Sequence, residues 1–213
     1  MSTTTPKRIA VLVSGSGSNL QALIDSIHTP PTTPAQIVLV LSNRRAAHGL
    51  TRASTASPQI PTAYLALKPF LHSNPSSTRD DYDARVAEMV READPDLVVL
   101  AGWMHVFGER FLERMEDGEG RKKAPVINLH PALPGQFDGA NAIDRAWEDW
   151  SNGEITETGA MVHKVIKQVD RGEPLVVRKV QFKEGESKQE FEKRLHGVEW
   201  EIIVEATRNV LGL

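Results

Sequence analysis

The sequence predicts an α/β domain, and three observations carry that expectation. Apolar β-branched runs alternate with stretches of helical periodicity, one run is apolar without interruption, and two extended runs come late in the chain. The first run, Arg8-Ile9-Ala10-Val11-Leu12-Val13, ends at Ser14-Gly15-Ser16-Gly17-Ser18-Asn19, after which Leu20, Leu23, Ile24 and Ile27 recur at helical spacing. This reads as strand, tight turn and helix. A Pro/Thr-rich linker, Thr29 to Pro34, leads to a second buried strand, Ile37 to Leu41. Residues 51–75 are rich in Thr, Ser, Pro and Ala and carry little periodicity beyond a short extended candidate at Thr62–Leu65.

Ser77 with Asp80 reads as a capping box for a helix with the buried stripe Tyr82, Val86, Met89 and Val90, ending near Asp94-Pro95. Leu97-Val98-Val99-Leu100-Ala101 is continuously apolar, as a central parallel strand covered on both faces should be. A short helix, Gly108 to Met115, runs into the hydrophilic segment 116–123, expected to be a surface insertion. Val126-Ile127-Asn128-Leu129-His130 is another strand, stopped by Pro131, and Ala140, Ile143, Trp147 and Trp150 mark a helix face ending near Asn152-Gly153. The runs Gly159 to Ile166 and Leu175 to Phe182 suggest an antiparallel pair added to the sheet. A long helix, Lys188 to about Asn209, closes the chain with Phe191, Leu195, Val198, Ile202 and Ala206 on its apolar face.

The composition narrows the function classes. A chain of 213 residues with 40% hydrophobic content builds one core, so a single domain over 1–213 is expected, with 1–7 as a flexible N-terminal tail. Cysteine is absent, which excludes a disulfide framework, a thiol nucleophile and thiolate metal sites. Twenty-five basic against 28 acidic residues, a net charge of -3, give no field to attract a nucleic acid. The clusters Arg44-Arg45 and Arg121-Lys122-Lys123 read as solvated loops. No stretch has the length of an export signal or a membrane span, and a cytoplasmic location is expected.

Two segments carry chemistry. Gly15-Ser16-Gly17-Ser18-Asn19 lies where a strand meets a helix N-terminus, a place where glycines let backbone N–H groups approach an anion. It lacks the third glycine of the dinucleotide pattern and the Gly-Lys-Ser/Thr of the nucleoside-triphosphate loop, so a tight turn and a phosphate site both stay open. In Asn128-Leu129-His130-Pro131, strand alternation turns Asn128 and His130 to one side, suited to hold a carbonyl oxygen as it gains negative charge. Asp170, in the turn Val169-Asp170-Arg171-Gly172, could hold the imidazolium form and help move protons, or serve only as a turn residue. The seven histidines form no compact ligand pattern, and no metal is expected.

Taken together, Val13-Ser14-Gly15-Ser16-Gly17-Ser18-Asn19-Leu20-Gln21-Ala22-Leu23, Val98 to Met104, Asn128-Leu129-His130-Pro131, Gly159 with Val162-His163, and Val169-Asp170-Arg171-Gly172 with Pro174 resemble the folate-dependent phosphoribosylglycinamide formyltransferase family, from Arg8 to about Val210. The resemblance implies a Rossmann-like, mostly parallel sheet with helices on both faces. It implies 10-formyltetrahydrofolate as co-substrate, glycinamide ribonucleotide as acceptor, and a role in purine synthesis. It places the catalytic group on Asn128, His130 and Asp170, the acceptor's phosphate on Gly17, Ser18 and Asn19, and a further acceptor contact on Glu199. Folate contacts fall on Arg79, on Met104, His105, Val106 and Phe107, and on the loop from Ile166 to Asp170. The partners implied are these small molecules, with monomer and weak dimer both open.

Three departures stand out: His105 where the family usually has arginine, Ala132-Leu133-Pro134-Gly135 in place of Ser-Leu-Leu-Pro, and Ala160 where a threonine is usual. A related enzyme acting on initiator methionyl-tRNA or hydrolysing formyl-folate normally carries a further domain, for which this chain has no room. A non-catalytic binding module is the alternative from another class.

Overall fold

The computed structural model describes residues 5–29, 34–117 and 123–213. The apolar run at the start forms strand β1 (Lys7–Val13), with Ile9 to Val13 wholly buried at the centre of the sheet. Parallel strands β2 (Ala35–Ser42) and β4 (Leu97–Leu100) flank it, β3 (Thr62–Tyr64) adds beyond β2, and β5 (Val126–His130) lies parallel to β4. β6 (Glu157–Lys164) and β7 (Pro174–Gln181) extend the sheet antiparallel, giving the order β3-β2-β1-β4-β5-β6-β7. The mostly parallel sheet with an antiparallel C-terminal addition is the architecture expected.

Alternation along β1 divides its side chains between two cores. Ile9, Val11 and Val13 join the layer beneath helices α1 (Ser18–Leu23), which widens into a π turn at Ile24–His28, and α7 (Lys188–Leu211). Ala10 and Leu12 join the opposite layer, beneath α4 (Arg79–Glu92) and α5 (Glu109–Asp117). The strand order reverses between β1 and β4, so their carboxyl ends open a crevice, the usual ligand position in such sheets. Ser14 N–H donates to Gly102 O at 3.0 Å and Ser14 Oγ accepts from Met104 N–H at 2.8 Å, tying the two loops at that crevice together.

Four local expectations are corrected. The capping box of α4 is Thr78 with Asp81, one residue beyond Ser77 and Asp80. Thr78 holds the extended backbone a cap needs, and the Asp81 carboxylate reaches back to Thr78 N–H at 2.8 Å. The stretch 51–75 is not without helices: it contains most of α2 (His48–Thr55) and all of α3 (Leu67–Ser73). Lys7, assigned to the tail, is already in β1 and donates its N–H to Pro34 O at 2.7 Å. Residues 116 and 117 of the expected insertion continue α5. Residues 118–122, 30–33 of the linker and 1–4 of the tail lie outside the described residues.

Candidate active site

Asn128 and His130 end β5, and the antiparallel register sets His163 of β6 directly opposite Asn128. Cross-strand partners share a face, so a second imidazole joins the pair. Asp170 turns in from the following loop on a left-handed backbone, φ 55°, and is 8% exposed. Its Oδ2 lies 3.4 Å from His130 Nδ1 and accepts Gly139 N–H at 2.8 Å. Its Oδ1 accepts from Asn128 Nδ2 at 3.2 Å and lies 3.4 Å from His163 Nε2. Burial pushes the Asp170 carboxyl up, but His163, the Gly139 amide and the charge of His130 together outweigh it and hold the carboxyl below its ordinary range. Asp170 therefore carries negative charge at neutral pH.

The hydrogen bonds constrain the protons on both rings. His163 Nδ1 faces Lys164 O at 2.8 Å and must carry the hydrogen, which leaves Nε2 to accept from Asn128 Nδ2 at 3.1 Å when the ring is neutral. Likewise His130 Nε2 faces Gln136 O at 3.2 Å and carries a hydrogen there, which leaves Nδ1 turned to Asp170. The loop supplying Gln136 and Gly139 is clasped from two sides. Arg145 Nη2 donates to Phe137 O at 2.5 Å and Asp138 O at 2.7 Å, and Arg171 Nε donates to Asp138 Oδ2 at 2.6 Å.

These groups form the polar end of a cavity of about 220 Å³ whose walls are largely apolar. Met104, Val106, Ile166 and Val169 stand exposed around it, and Trp103 and Phe107 lie behind them as a stacked pair with ring centroids 5.5 Å apart. A concave, apolar mouth with a few convergent polar groups suits a flat heterocycle. Of the residues expected to contact folate, Met104 to Phe107, Ile166 and Asp170 line this cavity. Arg79 is exposed and is not among the residues lining it, and its Nη2 donates to Val106 O at 2.6 Å.

The glycine loop forms a second cluster. Gly17 has φ 70°, and a Cβ there would lie 2.6 Å from Gly49 Cα, so only glycine lets α2 press against the loop. Gly49 N–H donates to Gly15 O at 3.1 Å and Arg52 Nε to Ser16 O at 2.9 Å, fixing the loop from below. Asn19 Nδ2 donates to Glu199 Oε2 at 3.1 Å, while Asn19 Oδ1 is buried without a partner among the described residues. His196 Nδ1 lies 3.2 Å from the same Glu199 oxygen. The Glu199 carboxylate raises the His196 pKa, and burial opposes it. Gly17, Ser18, Asn19 and Glu199 are thus gathered at one place, outside the walls of the apolar cavity. Sequence reasoning gave no site role to the Gly139 amide or to His163, which it quoted only as part of a motif, and the β5–β6 register is what brings His163 to the site. No group of three or more metal-ligating side chains is found among the described residues, and no described helix is long and apolar enough to cross a membrane.

Comparison with known proteins bears on what these clusters serve. Residues 7–207 match the family model described as Formyl transferase. Phosphoribosylglycinamide formyltransferase of Schizosaccharomyces pombe is 43% identical over 205 residues, spanning 95% of this chain and 96% of that protein. The enzyme of Saccharomyces cerevisiae is 42% identical, over 96% of this chain and 97% of that protein. Among solved structures, phosphoribosylglycinamide formyltransferase of Streptococcus pneumoniae superposes with a TM-score of 0.79 at 30% identity, covering 96% of this chain and 99% of that one. With relatives this similar matched over nearly their whole length, the chain belongs to the phosphoribosylglycinamide formyltransferase family and is an enzyme of formyl transfer in purine biosynthesis.

Proposed function

We propose that the chain transfers the formyl group of 10-formyltetrahydrofolate to the amine of glycinamide ribonucleotide, giving formylglycinamide ribonucleotide and tetrahydrofolate. The observation that carries this reading is the convergence of Asn128, His130 and Asp170 at the inner end of an apolar-walled cavity. The flat donor occupies the cavity between Met104–Phe107 and the 166–170 loop. The acceptor's phosphate meets the backbone of Gly17, Ser18 and Asn19, where the first N–H groups of a helix have no partner of their own, and Glu199 takes a further acceptor contact.

The neutral amine attacks the formyl carbon, a C–N bond forms, and the carbonyl oxygen becomes an oxyanion. Asn128 Nδ2 and the His130 imidazolium donate to that oxygen, displacing contacts of 3.1 to 3.4 Å that hold them beforehand. Asp170 stays ionised and stabilises the charged imidazole, while an ordered water takes up the amine's proton. The bond from carbon to the folate nitrogen then breaks, and that nitrogen takes a proton by the same route. Holding both substrates end to end removes the cost of a bimolecular encounter. The reaction uses these donors without a metal ion, its partners are small molecules, and a cytoplasmic setting fits both substrates.

The test is formyl transfer from 10-formyltetrahydrofolate, measured as formation of tetrahydrofolate, with the phosphate-free glycinamide riboside as control. Turnover with the ribonucleotide and little with the riboside is expected. Equal turnover would remove the phosphate role of Gly17 to Asn19.

A further inference from the structure

The segment from Trp103 to Gly108 forms one wall of the cavity, and its side chains alternate outward and inward. Met104 and Val106 are 66% and 51% exposed, whereas His105 between them turns inside. There it meets Asp83 of α4, a wholly buried carboxylate. Asp83 Oδ1 lies 2.6 Å from His105 Nε2, and Asp83 Oδ2 accepts Gly108 N–H at 2.7 Å. Both oxygens of one buried acid thus hold His105 and Gly108 of this strip, on either side of Val106 and Phe107. The rings of Tyr82, Phe107 and Trp103 surround the imidazole at centroid distances of 5.1, 5.3 and 6.3 Å. A buried carboxylate left without its partners is costly, so the strip has little freedom to take another conformation.

We propose that His105 is a positioning residue for the donor: the Asp83–His105 clamp fixes the 104–107 strip so that Met104, Val106 and the intervening backbone present one preformed wall to the donor's flat ring. This rests on the folate reading above and deepens it, because the polar edge of His105 is engaged with Asp83 and acts on the donor through the strip's conformation. A preformed wall spares the ordering cost of binding. Met104 N–H is tied to Ser14 Oγ just ahead of the glycine loop, but the Asp83 and His105 side chains themselves contact neither Gly15 to Asn19 nor the Asn128 group. The clamp therefore governs donor affinity, with little effect on turnover or on the acceptor.

The experiment compares wild type, His105→Leu and His105→Gln, whose terminal amide reaches as far as the imidazole Nε2. Steady-state constants are measured for both substrates, and amide hydrogen exchange of residues 104–108 is followed without substrate. His105→Leu should raise the donor KM about tenfold, with kcat changed less than about threefold and acceptor KM less than about twofold. His105→Gln should recover most of that loss, and the strip should exchange faster in the leucine variant than in the glutamine variant. His105→Asn, polar but too short to reach Asp83, makes the same comparison if the leucine variant does not fold. An unchanged donor KM, equal rises in both KM values, or a glutamine variant as impaired as leucine would overturn the proposal. Should wild type transfer no formyl group from folate, the functional reading fails separately, and the exchange data then decide the clamp by themselves.

Discussion

Asn19 and Glu199 stand 180 residues apart in the chain and meet at 3.1 Å, the amide of the one donating to the buried carboxylate of the other. This contact joins the first helix to the last and fixes the side chain at the head of the glycine loop. Glu199→Gln can keep an oxygen for Asn19 but loses the charge. The KM for glycinamide ribonucleotide should rise about tenfold, with the folate KM unchanged, as steady-state kinetics would show.

The same variant should alter stability against pH. The Glu199 carboxylate raises His196 above its ordinary 6.5, against the effect of burial. A raised folded-state pKa contributes stability that is fully present below the unfolded value and is lost as pH rises through the folded value. Urea midpoints from about pH 5 to about pH 9 should therefore fall less steeply across this window in Glu199→Gln than in wild type.

Asn128→Ala removes an oxyanion donor while leaving both substrate clusters in place. Turnover with both substrates saturating should drop about 10²- to 10³-fold. The role assigned to Asn128 does not survive an unchanged kcat.

Asp170→Asn keeps the shape of the turn and an oxygen for the Gly139 amide but discards the charge facing His130 and His163. A fall in kcat of about 10²-fold or more is expected. The wild-type carboxyl sits below its ordinary 3.8, so its contribution to stability is present above that value and is lost as pH falls through the lower folded value. Denaturation midpoints at about pH 3 and pH 7 should differ less in the variant than in wild type.

Gly17→Ala tests the first loop. The added carbon would require a left-handed alanine and a 2.6 Å approach to Gly49 Cα, so α2 must withdraw. A stability loss of about 2–4 kcal/mol by chemical denaturation is expected. Acceptor affinity should fall, while the folate cavity, on the far side of β1, keeps its affinity.

Much of the fold was legible because its signals are local. Continuous apolar runs named the buried parallel strands, and helical stripes named α4, α6 (Ala142–Ser151) and α7. The helices of 48–73 were not legible. α2 buries only Gly49 and Ala53, and α3 packs Leu67 and Phe70 against the core from a single short turn of apolar residues around Pro69, so neither gives a long stripe, and contact with the glycine loop places α2 instead. The widening of α1 into a π turn leaves no trace in the spacing of Leu20, Leu23, Ile24 and Ile27. At the site, Asn128 and His130 could be paired by strand alternation, but His163 required the register of β6, a long-range property. Glu199 looks like any solvent-facing glutamate of a helix, and only resemblance singled it out before its burial against Asn19 was visible.

The position of α7 has a consequence for synthesis of the protein. A nascent chain halted after β5 holds Asn128 and His130 but neither the carboxylate of Asp170 nor the one that receives the Asn19 amide. A chain halted there can therefore close neither cluster: the catalytic group waits for Asp170, and the contact that holds Asn19 waits for Glu199 in α7.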